Sequence, residues 1–489
     1  MKTLVNSKFA AIFLMLLLLS ACDDFLDRKP LGQYTSDTYP AGGLTEYVYG
    51  MYSQLRAFNI HVFAFIGITS ITSDDADKGS TPADGPAQKE FDDFTILANN
   101  GLVSGFYTGH YQGISRCNLV LEVTDSLQQS ITPEEYTLSR AEARFIRAYL
   151  YFNLVRTFGG VPKVEVTGST ANIPRASKEE IYAFIEEDLL FAQNNLPATW
   201  PDYPGRSSRG AAQGLLAKVY LYQQRWGDAL QMCQNVIGSG QYDLNTPYNV
   251  IFTEEGENTS ESLFEIQAVR NAEVNYNCEY AQVQGARGSG AWDLGWGFNT
   301  PSEQLLNAYE ADDPRMEVTI LFRGETTPYG EIPPLSLPNE RYNQKVYTNP
   351  TFRQEANNRF GGWMNVRILR YADVVLMAAE AANELDQTDE ALEKLEWIRA
   401  RARGTNNAIL PEITETDQAL LRDLIRHERR IELAMEHERF FDLVRWGIAE
   451  DVLHAAGKTN FVTGKHELMP IPQAEIDISG GVLIQNPGY

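Results

Sequence analysis

The chain has 489 residues, 43% hydrophobic, 22% charged and 11% aromatic, a make-up that fits a folded globular protein and excludes a disordered or fibrous one. Its formal net charge is −24, so it repels phosphate backbones, and nucleic-acid binding is disfavoured. Beyond the first 21 residues no run of 18 apolar residues occurs, so no helical membrane span is expected in the mature chain.

Lys2 and Lys8 form a basic start, followed by an eleven-residue apolar run at 9–19. A bilayer-spanning helix needs roughly 20 apolar residues, so this run reads as the core of a secretory signal. Leu19-Ser20-Ala21-Cys22 then has the pattern of a bacterial lipobox. Residues 1–21 are expected to be removed and the Cys22 thiol acylated, palmitate being one such chain, which anchors the protein to a membrane without spanning it. Residues 22–40 read as a lipidated leader and 41–489 as one body, although length alone would allow about three domains. Cys117, Cys233 and Cys278 remain; an odd number makes no disulfide framework, and free buried thiols are expected.

Along the body, 44–58 and 101–127 read as one helix pair. Between them, 59–100 is an irregular excursion. In 141–158, Phe145, Tyr149, Phe152 and Val155 make one apolar stripe and Ile146, Leu150 and Leu154 the next, so this helix packs on more than one side. Ser177 with Glu180 forms a capping box that opens a helix running toward Pro197. Helices at 210–224 and 226–237 form a pair, and those at 371–385 and 388–403 form another. Ala211, Ala217, Ala229, Ala372, Ala378, Ala381 and Ala391 supply small contact positions within these pairs. Such hairpins resemble tetratricopeptide repeats, which bury their apolar faces only by stacking. The second excursion, 271–362, is rich in Gly, Pro, Asn and aromatics, with a short helix expected at 301–309; just before it, 263–266 is strand-like. The predicted fold class is all-α: tetratricopeptide-like hairpins as a scaffold, with long irregular loops and minor short strands on a ligand face. Long excursions from a rigid frame are usually functional.

Two stretches carry candidate binding residues. Asp74, Asp75 and Asp77 could accept hydrogen bonds from sugar hydroxyls, and Asp75 and Asp77 could contribute oxygens to Ca²⁺; otherwise they mark an ordinary turn. In 271–298, Tyr276, Tyr280, Trp292 and Trp296 lie among glycines and could offer flat apolar platforms to the C–H face of a sugar ring. Arg287 and Asp293 could bond its hydroxyls. Trp296, just before 301–309, fits a loop plug as well as a ligand contact; Trp363 and Tyr342 are weaker candidates. The charged block near the C-terminus reads as structure, not chemistry. Leu420, Leu424, Ile431 and Met435 make an apolar stripe that includes Glu428, whose carboxylate needs Arg429, Arg445 or Arg399 as partner. No metal, dinucleotide, phosphate-loop or nucleophile-elbow pattern occurs, so no cofactor and no catalytic residue are assigned.

Several blocks in order resemble the SusD/RagB family over nearly the whole chain. They are Cys22 to Asp27 with Lys29-Pro30; Ala141 to Tyr149 running to Phe158-Gly159-Gly160-Val161-Pro162; Gly205 to Ala212; Arg370 to Ala381; Glu428 to Ala434 with Arg439, Asp442 and Arg445-Trp446-Gly447; and the closing Asn486-Pro487-Gly488-Tyr489. His437 stands where the family usually has Gly, and Glu396 where Asn is common. The resemblance implies an all-α tetratricopeptide scaffold on a lipoprotein of the outer-membrane surface. It also implies that the Ser73–Asp74 element lies near the ligand face. The implied role is capture of an oligosaccharide or polysaccharide and its delivery to a SusC-like TonB-dependent transporter, without catalysis. Capture of peptides is the nearest alternative; a surface glycoside hydrolase and a purely structural adhesin or plug are more distant ones.

Overall fold

A computed structural model of the protein describes residues 43–168, 172–271 and 273–489. The expected signal segment, leader and Cys22 lie outside the described residues. The chain divides into Met1–Glu46, of which 43–46 are described, and one large unit, Tyr47–Tyr489.

The scaffold is helical. Its elements are α1 (Leu44–Gln54), α2 (Gly101–Ser126), α3 (Pro133–Phe158), α4 (Lys178–Asn195), α5 (Arg209–Tyr222), α6 (Trp226–Gly238), α7 (Tyr371–Glu384), α8 (Thr388–Arg403), α9 (Gln418–Glu432) and α10 (Arg439–Arg445). From α2 to α8 each helix packs on the next, with α6 bridging to α7 across the intervening excursion, and α9 lies against α7. This is the stacked-hairpin architecture anticipated from the helical periods.

Local chemistry fixes where these helices start. The Ser177 hydroxyl accepts the Glu180 N–H at 3.1 Å while the Glu180 carboxylate accepts the Ser177 N–H at 2.7 Å, the reciprocal box that satisfies two otherwise orphaned donors. Thr132 and Glu135 make a second one that opens α3 eight residues before the periodic stretch. Both stripes of α3 are buried, as are all seven small-residue positions of the pairs. The three cysteines are free and buried.

The excursions carry short antiparallel pairs: β1 (Ala76–Gly79) with β5 (Phe298–Pro301), β2 (Ser262–Ile266) with β8 (Val366–Arg370), β3 (Val269–Arg270) with β4 (Asn275–Tyr276), and β6 (Ile320–Phe322) with β7 (Arg341–Asn343). β2 contains the anticipated strand.

Three expectations are corrected. The stretch 59–100 is not simply a loop: it folds into Phe58–His61, Phe63–Ile66, a π-helical turn Gly67–Ile71 and Pro86–Asp93. Ile60, Val62, Ala64, Ile66, Ile68 and Ile71 are all buried, so 60–71 is enclosed on every side and shows no amphipathic period. The helix expected at 301–309 is one turn, Glu303–Leu306. Pro301 pairs with Ala76, and the Ser302 hydroxyl donates to the Asp74 carbonyl at 2.6 Å, which holds the chain extended there. In α9 the buried stripe is Leu421, Ile425, Glu428 and Ile431, whereas Leu420 is 55% exposed. Glu428 is paired with Arg399 at 2.8 Å, as one of its three expected partners, and with Arg315, which was not anticipated; Arg429 and Arg445 turn instead to Asp373, Asp442 and Glu380.

Candidate functional site: the Trp292 loop

The loop 285–297 is closed at its base by backbone bonds. Gly297 N–H donates to Gly285 O at 2.9 Å, Trp296 N–H to Gln282 O at 2.8 Å and Leu294 N–H to Ala286 O at 2.9 Å. Its tip is folded over as tightly as glycine permits: a Cβ on Gly288 would stand 2.6 Å from the Trp292 carbonyl oxygen and 2.7 Å from Leu337.

Beneath the tip lies a small apolar cluster of Ala286, Leu294, Leu321, Leu337, Tyr342 and Tyr347, with Trp292 and Tyr329 packed against it. The Trp292 and Tyr347 rings stack at 6.1 Å and 7°, within the range favoured for aromatic pairs. Burial raises the Tyr347 phenol to about 12, helped by its bond to Glu331, so it is a neutral hydrogen-bonding group at physiological pH. Trp292 itself is half-buried: one part of its surface rests on the cluster and part is left to solvent.

Two ion pairs flank this tip on the same loop. Arg287 bonds Asp84 at 2.9 Å, and Asp293 bonds Arg359 at 2.6 Å, all four side chains being at least partly exposed. The Thr81 and Ser80 hydroxyls, together with Arg287, hold the Asp84 carboxyl below its ordinary range. Exposed pairs of this kind add little to stability, about 0–1 kcal/mol, but their donors and acceptors can turn to an arriving polar ligand at low cost. Tyr329, Tyr347, Asp84 and Arg359 escaped the sequence reading, since nothing local in the sequence ties their positions to this loop.

Other predicted residues are placed elsewhere. Asp74 and Asp75 are 3% and 1% exposed, and their carboxylates are taken by Arg439 and Arg430 at 2.7–2.9 Å. This corrects the expectation of a ligand role: buried carboxylates need compensating charge, and these two brace the turn before β1. Asp74 is held by both guanidinium groups, whereas Asp75 gives Oδ1 to Arg430 and keeps a buried Oδ2 without a hydrogen-bond partner; Asp77 is exposed at the surface of β1. Among the described residues no group of three or more His, Cys, Asp or Glu side chains could hold a metal ion. Tyr280 is likewise corrected to a core residue, its hydroxyl donating to Nε2 of buried His437 at 2.6 Å. Trp296 wedges against Phe58 and Phe63 and plugs the loop base. Trp363 is buried, its indole N–H donating to Glu254 at 3.0 Å, while Tyr342, also buried, belongs to the apolar cluster beneath the tip. Tyr276 is 59% exposed on β4 and lines a cleft that none of the tip residues lines.

Comparison with known proteins covers most of the chain. A family model described as "SusD family" matches residues 260–489, and one described as "Starch-binding associating with outer membrane" matches 24–221. A SusD-like protein, P2, of Formosa agariphila is 28% identical over 99% of this chain and 100% of its own length. Among solved structures, a laminarin-binding SusD-like protein is 28% identical with a TM-score of 0.77, covering 91% of this chain and 99% of that one. Surface glycan-binding protein A from Bacteroides uniformis is 26% identical with a TM-score of 0.75, covering 91% and 98%. The agreement of the two models, the full-length relative and the scaffold leads to one assignment: the chain belongs to the SusD/RagB family.

Proposed function

We propose that this protein is a surface glycan-binding lipoprotein of the outer membrane, anchored through acylated Cys22. In this reading it captures an oligosaccharide on the Trp292 loop and passes it to a SusC-like TonB-dependent transporter, breaking no bond itself. The observation that carries the reading is the build of the tip: a half-exposed indole braced by Tyr347 and flanked by two adaptable ion pairs. A pyranose presents a C–H face to such a ring and hydroxyls to such pairs. The laminarin-binding relative and the starch-binding family description support a carbohydrate as the ligand.

Isothermal titration with laminarihexaose and a panel of other neutral oligosaccharides tests it. Trp292→Ala is expected to weaken binding of the recognised glycan roughly ten-fold, the loss of about 1–1.5 kcal/mol of ring stacking, while the glycan is recovered intact. Binding of peptides but of no glycan would overturn the ligand class, and release of shortened products would overturn the non-enzymatic reading.

A further inference from the structure

Away from the Trp292 loop, a cleft of about 640 Å³ opens between the end of α1, the turn 202–206, and strands β2 and β4. Its rim is aromatic. Tyr49 and Tyr203 are 41% and 51% exposed, with ring centroids 6.4 Å apart, and Tyr276 also lines the cleft. The floor is firm. A Cβ on Gly205 would fall 2.1 Å from the Gln267 side chain, so the turn lies against the residue that follows β2. Tyr52 below it bonds the buried Glu142 at 2.7 Å and Ser207 at 2.9 Å.

Two guanidinium groups line the cleft, in different electrical states. Arg206 is neutralised: it bonds both oxygens of Glu142 and stacks on Trp200 at 3.8 Å. Arg56 is not. Its donors go to the Ser53 hydroxyl at 2.7 Å and, weakly, the Gln267 carbonyl at 3.5 Å. Its guanidinium lies 5.4 Å from the Tyr276 ring centre. Among the described residues no carboxylate comes within salt-bridge distance of it; Glu265, on the same wall, is buried and committed to Asn258 and Asn365. In a chain with 65 acidic residues against 41 basic ones, a half-buried cation left uncompensated beside tyrosine platforms is an incomplete charge pair.

We infer that this cleft is a second saccharide subsite, selective for a sugar unit bearing an anionic oxygen group, a carboxylate or a sulfate ester, which pairs with Arg56 while its ring lies against Tyr49, Tyr203 or Tyr276. A planar guanidinium suits either group bidentately, and the partial burial of Arg56 strengthens the pair relative to one in open water. The inference rests on the reading of the chain as a saccharide binder, but uses different residues from the Trp292 loop.

The test is isothermal titration with matched probes: tetragalacturonate against its carboxyl-reduced counterpart, and a sulfated galactan tetrasaccharide against its desulfated form, with laminarihexaose alongside. At least one acidic probe is expected to bind ten-fold or more tightly than its neutral counterpart. Arg56→Gln should erase that ratio, Tyr203→Ala should weaken both members of the pair alike, and laminarihexaose binding should be unchanged by Arg56→Gln. Preference in the first pair alone names a uronate, and in the second alone a sulfate ester. Equal affinity within both pairs, or a preference that survives in Arg56→Gln, overturns the inference. Failure of Trp292→Ala to affect laminarihexaose would instead count against the Trp292 reading and leave the Arg56 result standing.

Discussion

His437 shows how one side chain can be strained in its backbone and well partnered in its ring. Its φ is +71°, in the left-handed region where glycine is cheap and other residues cost about 1 kcal/mol or more, which would give the glycine expected here from the family resemblance a physical reason. Here an imidazole replaces it and recovers the cost through contacts. Nδ1 lies 2.9 Å from the Thr69 hydroxyl, which itself donates to Phe65 O, so Nδ1–H is the donor there; Nε2 accepts from Tyr280. The bond that Nε2 accepts from Tyr280 requires the neutral ring, and burial lowers its pKa to about 3. The unfolded value is near 6.5. Between pH 6.5 and about 3 the unfolded chain therefore holds the extra proton, and stability contributed by the neutral ring is lost as pH falls. His437→Gly is expected to lower stability by about 1–3 kcal/mol at pH 7, relief of backbone strain offsetting part of the lost packing and hydrogen bonds. At pH 5 the wild type has already lost roughly 2 kcal/mol through this one group, so the difference between the two proteins should shrink. Urea denaturation at both pH values reads it, and an equal or larger difference at pH 5 would show that His437 is not held neutral.

At the scale of elements, the Trp292 loop depends on shape more than on any one attraction. Gly288→Val would press a side chain into the Trp292 carbonyl and Leu337 and must displace the tip. Because Gly288 is exposed and outside the main core, stability should change by only about 0.5 kcal/mol, while glycan affinity should fall about as far as in Trp292→Ala. Unchanged affinity would mean that the tip geometry does not matter. What the sequence made legible divides along the same line. Helix pairs announced themselves because caps such as Ser177–Glu180 and stripes such as Phe145 to Val155 are local, repeating at the helical period. Asp74 and Asp75 looked like an open acidic turn because the arginines that close it, Arg439 and Arg430, lie 365 and 355 residues away along the chain. Tyr280 failed for the same reason, its partner His437 being 157 residues distant. Trp292 was legible as an aromatic among glycines, but its brace, Tyr347, was not. The Tyr49–Tyr203–Arg56 cleft gave no signal at all, since a missing counter-ion is visible only in three dimensions.

Across the whole molecule, α9 is the hub that fastens the excursions to the scaffold. Glu428 reaches Arg315 and Arg399, Arg429 reaches Asp373 and Asp442, Arg430 reaches Asp75, and Glu432 reaches Arg370 and Arg401. Burial alone would push the Glu432 carboxyl up, yet Arg401 and Arg370 outweigh it and hold it at about 2. A charged centre this dry stabilises little relative to an apolar one of the same shape, but breaking it from one side is costly. Arg315, 1% exposed, is the sharpest place to test this, because it bonds Asp313 at 2.8 Å and no other cation in the network pairs with that carboxylate. Arg315→Met should cost about 3–5 kcal/mol by stranding Asp313 and half of the Glu428 pairing. Adding Asp313→Leu removes the stranded carboxylate, and the double variant should regain a substantial part of that loss in urea denaturation. If the two losses simply added, the pair would be uncoupled, and α9 would hold the molecule together through packing rather than through its charges.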